Sequence, residues 1–489
     1  MKKISLFYVF LFLIISTFQL SAQKKTSVAP KNDIFKINIK TNGLKTHCLL
    51  AYHQGSNKYK IDSIPFNQKG EATFMDTGKK VRGGIYLLVF PTLGNNYFEF
   101  LVSNTEKNME MIIDTLAIHK VQIKNSEENT YFYDEINYVA PLYKEISELN
   151  TKRNDEKIDK SEKEKIDNRL REIEKSIQDQ REKVIKEKPN LLYSKIMNMM
   201  KEIDVPQSPK DAKGNIIDST FQYNYYKEHY WDNTDLNDDR LLYTPIFDGK
   251  YKTYFEKVIY KHPDSIKVEI DKVLGKIKDP NSMMMRFMLG NLINEYANSK
   301  IMGQDALYVH LVKNYYTKGK APWADSATVK KMQYDAEDLE PILIGKTAPD
   351  FSVFDTTLKT IHKLYDLKSK YKILVFWNQD CGHCKKEVPK LDSIYPDLLK
   401  KGADVFAVCT VVDKDNQIEQ WKQFIKDKKL RFKNYGDPRH QLYPFFQVLY
   451  KIKATPEYYI LDKENKIIAK KLAPDQMLDF IDNYERLKK

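Results

Sequence analysis

The strongest constraint on the fold is an apolar strand followed closely by two cysteines at the start of a helix, near the carboxyl end of the chain. Tyr371–Trp377 is apolar except for Lys372, a pattern typical of a buried strand. The residues after Cys384 carry apolar side chains at helical spacing, namely Val388, Leu391, Ile394 and Leu398. A buried strand that leads into an amphipathic helix indicates an α/β layer structure.

Strand and helix patterns continue to alternate towards the end of the chain. Asp404–Val411 predicts a second buried strand. Glu457–Leu461 and Lys466–Leu472 predict a hairpin, because they flank a short polar turn. The proline-bounded segment Pro341–Phe351 predicts a joint before these elements. Residues 340–489 should therefore form an α/β domain whose sheet mixes parallel and antiparallel pairs.

Two other regions precede this α/β domain. Residues 33–118 alternate between apolar and polar side chains around several turn signals, which predicts a small β-sandwich-like domain of antiparallel strands. Residues 130–339 change to helical periodicity and predict a central all-α domain. Within it, a seam that predicts an antiparallel helical hairpin consists of Ile166, Leu170, Ile173, Ile177 and Val184. The chain of 489 residues is thus predicted to be multidomain.

The first residues have the pattern of a secretory signal. Lys2 and Lys3 precede the apolar run Ile4–Leu20, and the small residue Ala22 follows it. We predict cleavage after Ala22, so that residues 1–22 are a signal peptide; the alternative is an uncleaved membrane anchor. Export would place the chain in the periplasm or the cell envelope. No later apolar stretch is long enough to predict a membrane span after cleavage.

The net charge of +13 raises the question of nucleic-acid binding. The lysines are scattered among acidic residues, however, and export separates a protein from nucleic acid. We therefore expect a solvated basic surface and no nucleic-acid partner. Export also brings the chain into a compartment where disulfides persist, so that cysteine chemistry matters.

The tetrapeptide Cys381-Gly-His-Cys384 predicts a redox-active dithiol. The N–H groups and the macrodipole at a helix N-terminus favour an anion, so Cys381 should exist partly as a thiolate and act as the nucleophile. Cys384, one turn further along, should be shielded and act as the resolving thiol. His383 can add positive charge beside Cys381. The two cysteines would then form and break a redox-active disulfide.

Metal binding is one alternative for these cysteines. A structural zinc site needs four ligands, usually two such pairs, whereas here Cys409 stands alone on a predicted strand and His440 is isolated. His47 and Cys48 are adjacent but have no further ligands nearby. We therefore expect no metal and no cofactor. A permanent structural disulfide in the Cys-x-x-Cys pair remains a second alternative.

Residues 340–489 resemble the thioredoxin fold and, more narrowly, the exported TlpA/ResA-like thiol–disulfide oxidoreductases. The segments that carry the resemblance are Gly345-Lys-Thr-Ala-Pro-Asp-Phe351, Phe376-Trp377, Cys381-Gly-His-Cys-Lys-Lys-Glu-Val-Pro389 and Thr455-Pro456. The Cys-Gly-His-Cys tetrapeptide is similar to that of protein disulfide isomerases. The preceding regions resemble the N-terminal extensions of secreted Bacteroidetes thioredoxin-like proteins.

The resemblance implies roles for four further residues. Pro456 is expected to be cis and to lie beside the dithiol, where Thr455 presents its backbone to a substrate chain, and Trp377 belongs to the same substrate-binding region. Glu387 matches the family's acidic residue and is expected to take part in proton transfer to Cys384; its alternative is a solvated helix carboxylate. The partners implied are protein thiols or disulfides and an upstream redox donor.

Two departures from the family pattern leave the redox direction open. Val375 stands where thioredoxins often carry a buried aspartate, so that proton relay is absent. Asp380 replaces a common tryptophan, and its charge would raise the pKa of Cys381 and oppose His383. The TlpA/ResA-like resemblance favours a reductant.

Two other functions are kept as alternatives. A peroxiredoxin shares the Ala-Pro-Asp-Phe opening, but it predicts a lone peroxidatic cysteine and not a Cys-x-x-Cys pair. A binding or assembly protein, formed by the first 340 residues with a thioredoxin-like domain of little turnover, is the alternative from another class.

Overall fold

The computed structural model describes residues 34–76, 81–155, 158–412, 414–439 and 445–488. The chain divides into two compact units, one ending at Ile259 and the other running from Tyr260 to Lys489. The predicted signal peptide, residues 1–22, and His440 lie outside the described residues. Among the residues that are described, no helix combines the length and the apolar character needed to cross a membrane.

The first unit begins with a β-sandwich. Its strands are β1 (Phe35–Thr41), β2 (His47–Gln54), β3 (Asn57–Pro65), β4 (Glu71–Asp76), β5 (Gly84–Phe90), β6 (Asn96–Val102), β7 (Asn108–Ile113) and β8 (Gln122–Lys124). They form two sheets, ordered β4-β1-β7-β8 and β3-β2-β5-β6, and buried side chains of both sheets share one core. The predicted β-sandwich-like class is confirmed. The expectation of purely antiparallel strands is wrong, because β1 and β7 pair in parallel.

Helices complete the first unit: α1 (Glu127–Arg153), α2 (Lys160–Glu187), α3 (Leu192–Met199), α4 (Phe221–His229) and α5 (Pro245–Thr253). The seam of α2 packs against Val139 and Ile146 of α1. Three ion pairs join the two helices: Arg153–Asp167, Arg169–Glu145 and Arg181–Glu135. Residues later in α1 pair with residues earlier in α2. This opposite order shows an antiparallel hairpin, as the seam predicts.

The second unit starts with four helices and continues as a thioredoxin-like α/β domain. The helices are α6 (Pro263–Leu274), α7 (Met283–Ala297), α8 (Asp305–Leu311) and α9 (Ser326–Leu339). The division after Ile259 therefore falls inside the predicted helical region 130–339. The helical class predicted for that region is confirmed, and its helices belong to both units.

The sheet of the second unit has seven strands in the order β10-β9-β13-β12-β11-β14-β15. Its elements are β9 (Ser352–Asp355), β10 (Ile361–Lys363), β11 (Tyr371–Trp377), α10 (Cys384–Lys400), β12 (Ala403–Cys409), α11 (Asp415–Asp427), β13 (Lys433–Gly436), α12 (Phe445–Tyr450), β14 (Glu457–Leu461), β15 (Ile467–Lys470) and α13 (Pro474–Lys488). β11 pairs in parallel with β12 and antiparallel with β14, so the predicted mixed sheet is confirmed.

Strand β11 is buried on both faces, which fixes where α10 begins. Ile373, Val375 and Trp377 face one core cluster together with the start of α10, whereas Leu374 and Phe376 face the other cluster. Side chains alternate between the two faces of a strand, so an apolar run buries both of them. The carboxyl end of β11 and the N-terminus of α10 thereby meet at one edge of the core.

A buried ion pair ties α8 to the edge of this sheet. Lys470 on β15 is only 2% exposed, and its Nζ lies 2.7 Å from an Asp305 carboxylate oxygen and 2.9 Å from the Ile342 carbonyl oxygen. The ammonium also lies over the ring of Tyr459. A buried charge is tolerated when such partners replace water.

The substitution Asp305→Ala should lower the free energy of unfolding of the second unit by about 3–5 kcal/mol, because it leaves the Lys470 ammonium buried without its counter-charge. Urea unfolding followed by tryptophan fluorescence measures this, since three of the four tryptophans (Trp323, Trp377 and Trp421) lie in this unit. Asp397→Ala is the matched control. It breaks a solvent-exposed pair with Lys400 and should change the free energy of unfolding far less than Asp305→Ala does. Equal losses in the two variants would contradict the account.

Candidate active site

The site is built where β11 ends and α10 begins. Cys381 precedes the helix and is partly exposed, while Cys384 is its first residue and has no exposed surface. The backbone N–H of Cys384 points at the Cys381 sulfur from 3.5 Å. The backbone N–H of Asn378 points at the Cys384 sulfur from the same distance. Both cysteines are free thiols, so the geometry is that of a reduced dithiol.

The two thiols differ in acidity. Burial raises the pKa of Cys381, but backbone N–H groups at the helix start, that of Cys384 first among them, outweigh it, and the pKa lies below its ordinary value. Burial raises the pKa of Cys384 to about 11. At neutral pH, Cys381 is therefore the better source of thiolate, whereas Cys384 holds its proton.

The loop before β14 lies directly against Cys381. The peptide bond between Thr455 and Pro456 is cis. The Cys381 thiol donates to the Thr455 carbonyl oxygen, with 3.1 Å between sulfur and oxygen. The structure thus brings Thr455 and Pro456 to the dithiol, as the resemblance implies. Thr455 and Pro456 are both partly exposed beside Cys381.

Trp377 does not fit the predicted role in substrate binding. Its side chain is completely buried and packs against Phe424 of α11, with ring centroids 5.0 Å apart. A side chain without exposed surface cannot touch a substrate in this conformation. Trp377 instead fills the core beneath the site, and its carbonyl oxygen accepts from the N–H of Thr410 at 2.8 Å. Its place in β11 as the last residue of a strand buried on both faces explains this packing.

Glu387 and His383 both lie at the start of α10. Glu387 is in the first turn, is 25% exposed and pairs with Lys390 at 2.8 Å. The side chains of His383 and Asp380 are exposed to solvent, which screens their opposing charges at Cys381. Burial, the backbone N–H of Cys384 and the Thr455 side chain are the largest influences on the pKa of Cys381.

The sequence pattern does not single out Gln379 and Tyr458, two buried residues near the dithiol. Gln379 is buried, donates to the Val411 carbonyl oxygen at 3.1 Å and accepts from the Cys409 thiol at 3.0 Å. Burial raises the pKa of Cys409 to about 12, so this thiol is inert, in line with its place on a buried strand. Tyr458 of β14 lies on the α10 face of the sheet. Only the strand pairing reveals these neighbours, and no local sequence signal marks them.

Metal binding finds no support in the geometry of the site. Within the described ranges, no group of three or more His, Cys, Asp or Glu side chains is arranged to hold a metal ion. The site instead presents two cysteines one helical turn apart, which differs from the lone cysteine that a peroxiredoxin requires.

Comparison with known proteins assigns the second unit to a family. Residues 344–470 match the model of the AhpC/TSA family, and residues 150–340 match a domain of unknown function (DUF5106). The thiol-disulfide oxidoreductase ResA of Bacillus cereus is 31% identical over 147 residues, which are 30% of this chain and 79% of ResA. The chain belongs to the ResA-like family of thiol-disulfide oxidoreductases.

Solved structures are also similar to parts of this chain. A domain of a possible thiol-disulfide isomerase from Cytophaga hutchinsonii is 40% identical and covers 29% of this chain and 94% of its own, with a TM-score of 0.27. A thioredoxin-like protein from Bacteroides caccae is 17% identical and covers 58% of this chain and 98% of its own, with a TM-score of 0.43.

Alkylation by iodoacetamide should modify Cys381 first, with a rate that rises with pH around a midpoint below the ordinary thiol value of about 8.5. The reason is that the N–H groups at the start of α10 stabilise the thiolate, so that less hydroxide is needed to form it. The rate at each pH, read by mass spectrometry, measures the midpoint. Cys381→Ala is the control and should leave only slow modification, because the other three thiols are buried. A midpoint at or above the ordinary value would contradict this assignment.

Proposed function

We propose that this chain is an exported thiol–disulfide oxidoreductase that exchanges disulfides with protein thiols through Cys381 and Cys384. The observation that carries the proposal is the difference between the two thiols. One is partly exposed and has a lowered pKa beside a helix N-terminus, and the other is buried and has a raised pKa one turn away. This asymmetry suits a nucleophile and a resolving thiol.

The reaction proceeds in two exchanges. The Cys381 thiolate attacks one sulfur of a substrate disulfide, forms a mixed disulfide and releases the other sulfur as a thiolate. Cys384 then loses its proton and attacks the Cys381 sulfur, which forms the Cys381–Cys384 disulfide and releases the substrate as a dithiol. An upstream dithiol donor returns the pair to the reduced state. The reverse sequence oxidises a substrate dithiol.

The surroundings of the dithiol support a polypeptide substrate. The Thr455 carbonyl oxygen, 3.1 Å from the attacking sulfur, can accept a main-chain N–H of an extended segment once Cys381 has lost its proton. Such main-chain contacts bind many sequences, because they do not read side chains. Glu387, in the first turn of α10 with Cys384, is the proposed base that takes up the proton of the resolving thiol.

The proposed compartment is the periplasm or the cell envelope. Its support is the pattern of residues 1–22, in which a charged start, an apolar run and a small-residue exit follow one another. A dithiol that exchanges with protein disulfides also fits a compartment in which disulfides persist.

The variant Cys384→Ala should accumulate mixed disulfides through Cys381, because the second exchange cannot occur. Non-reducing electrophoresis with a disulfide-containing test protein shows the adducts, and a reductant should remove them. Cys48→Ala, which removes a buried thiol of the first unit, is the control and should form no lasting adduct.

The opposite outcome is equally definite. If Cys384→Ala traps no partner and the unaltered chain neither reduces nor oxidises the test protein, the proposed activity is wrong. The first 340 residues would then be the functional part, as a binding or assembly module.

A further inference from the structure

Tyr458 is a buried tyrosine in the core cluster that contains the resolving thiol Cys384. It is the second residue after Pro456, and on β14 it pairs directly with Val375 of β11. Directly paired residues of antiparallel strands point to the same face of the sheet. The Tyr458 ring therefore lies on the α10 side, in one core cluster with Cys384, Val388 and Leu391.

The hydroxyl of Tyr458 is unusual among the buried tyrosines of this unit. The residue is 5% exposed, and its hydroxyl is buried without a hydrogen-bond partner among the described residues. By contrast, the hydroxyls of Tyr371, Tyr450 and Tyr459 bond to Glu485, to the Pro349 carbonyl and to Glu457. Buried hydroxyls are normally paired, so an unpaired one calls for an explanation.

The groups that act electrostatically on Tyr458 are those of the proposed second exchange. Burial raises the pKa of Tyr458 well above its ordinary value, and the negative charges of Glu387 and of a Cys384 thiolate raise it further. Glu387 in turn pairs with Lys390. The charge of Asp475 on α13 also raises the pKa of Lys390. A phenol that stays neutral can accept one proton and donate another at the same time.

We propose that the Tyr458 hydroxyl relays the proton of Cys384 to Glu387 during the second exchange. In the reduced dithiol the hydroxyl bonds to neither group, so both hydrogen bonds must form in the mixed disulfide. The Cys384 proton then passes to the phenol oxygen while the phenol proton passes to the Glu387 carboxylate. Cys384 becomes the thiolate that attacks Cys381, and Glu387 becomes a neutral acid that later releases its proton to solvent. Tyr458 ends as it began. The relay occupies the place that Val375 leaves without a buried acid, and it rests on the proposed function.

A chromogenic aryl disulfide separates the two exchanges in the full chain. Attack by Cys381 releases one coloured aryl thiolate, and resolution by Cys384 releases the second. In Tyr458→Phe the first release should keep its rate, whereas the second should slow about tenfold or more at neutral pH. The difference should shrink as the pH approaches 11, because hydroxide then deprotonates Cys384 directly. Tyr371→Phe, at the far end of β11, is the matched control and should leave both releases unchanged.

The relay further predicts that Glu387→Gln slows the second release, and that adding Tyr458→Phe slows it no more, since one path is already broken. An unchanged second release in Tyr458→Phe, equal slowing of both releases, or additive losses in the double variant would overturn the relay. If the unaltered chain releases no aryl thiolate, the proposed function itself falls and the relay with it. A proton inventory tests the relay in the unaltered chain. A curved dependence of the second-release rate on the deuterium fraction of the solvent supports two moving protons, and a linear dependence overturns the relay.

Discussion

The stabilisation of one thiolate by the N–H groups at the start of α10 is the interaction on which the rest of the account depends. It acts on Cys381 and not on Cys384, because the first sulfur lies ahead of the helix and the second lies inside its first turn. Burial adds to the difference, since it raises the pKa of Cys384 to about 11. The position of both sulfurs follows from β11, which is buried on both faces and leaves little freedom to the helix that succeeds it.

Two polar groups of the second unit are buried, and burial of a polar group lowers the stability of a fold unless partners replace water. The Lys470 ammonium is buried at the sheet edge and needs Asp305, and the Tyr458 hydroxyl is buried without a partner in the described part of the chain. An unpaired buried hydroxyl costs about 1–3 kcal/mol. The ion pair connects α8 to the sheet that carries the dithiol and therefore serves stability. Tyr458 belongs to the core cluster that contains Cys384, where a cost to stability is acceptable if the group takes part in the reaction.

Local sequence patterns predict the dithiol and the strand and helix on either side of it. Features that depend on pairing between distant strands cannot be predicted from such patterns. The dithiol lies in the chain directly between the strand Tyr371–Trp377 and the following helix. The spacing of apolar residues and of the two cysteines therefore predicts the order of these elements. The α2 seam was legible for the same reason. The parallel pairing of β1 with β7 joins residues about 70 positions apart, and no local signal records it. The family resemblance implies a substrate-binding role for Trp377, whereas its place in a strand buried on both faces determines its burial. The position of Tyr458 beside Cys384 depends on the register between β14 and β11, which the sequence does not specify.

A redox titration of the full chain tests the central claim most directly. The fraction of Cys381–Cys384 disulfide, measured by mass spectrometry across a series of thiol–disulfide buffers, gives the reduction potential of the pair. We expect one reversible two-electron transition between about −270 and −120 mV. The family resemblance favours a potential near the lower value, as in a reductant, whereas the stabilised thiolate favours one near the higher value, as in an oxidant. The absence of a reversible transition, or a potential below about −300 mV as in structural disulfides, would contradict it.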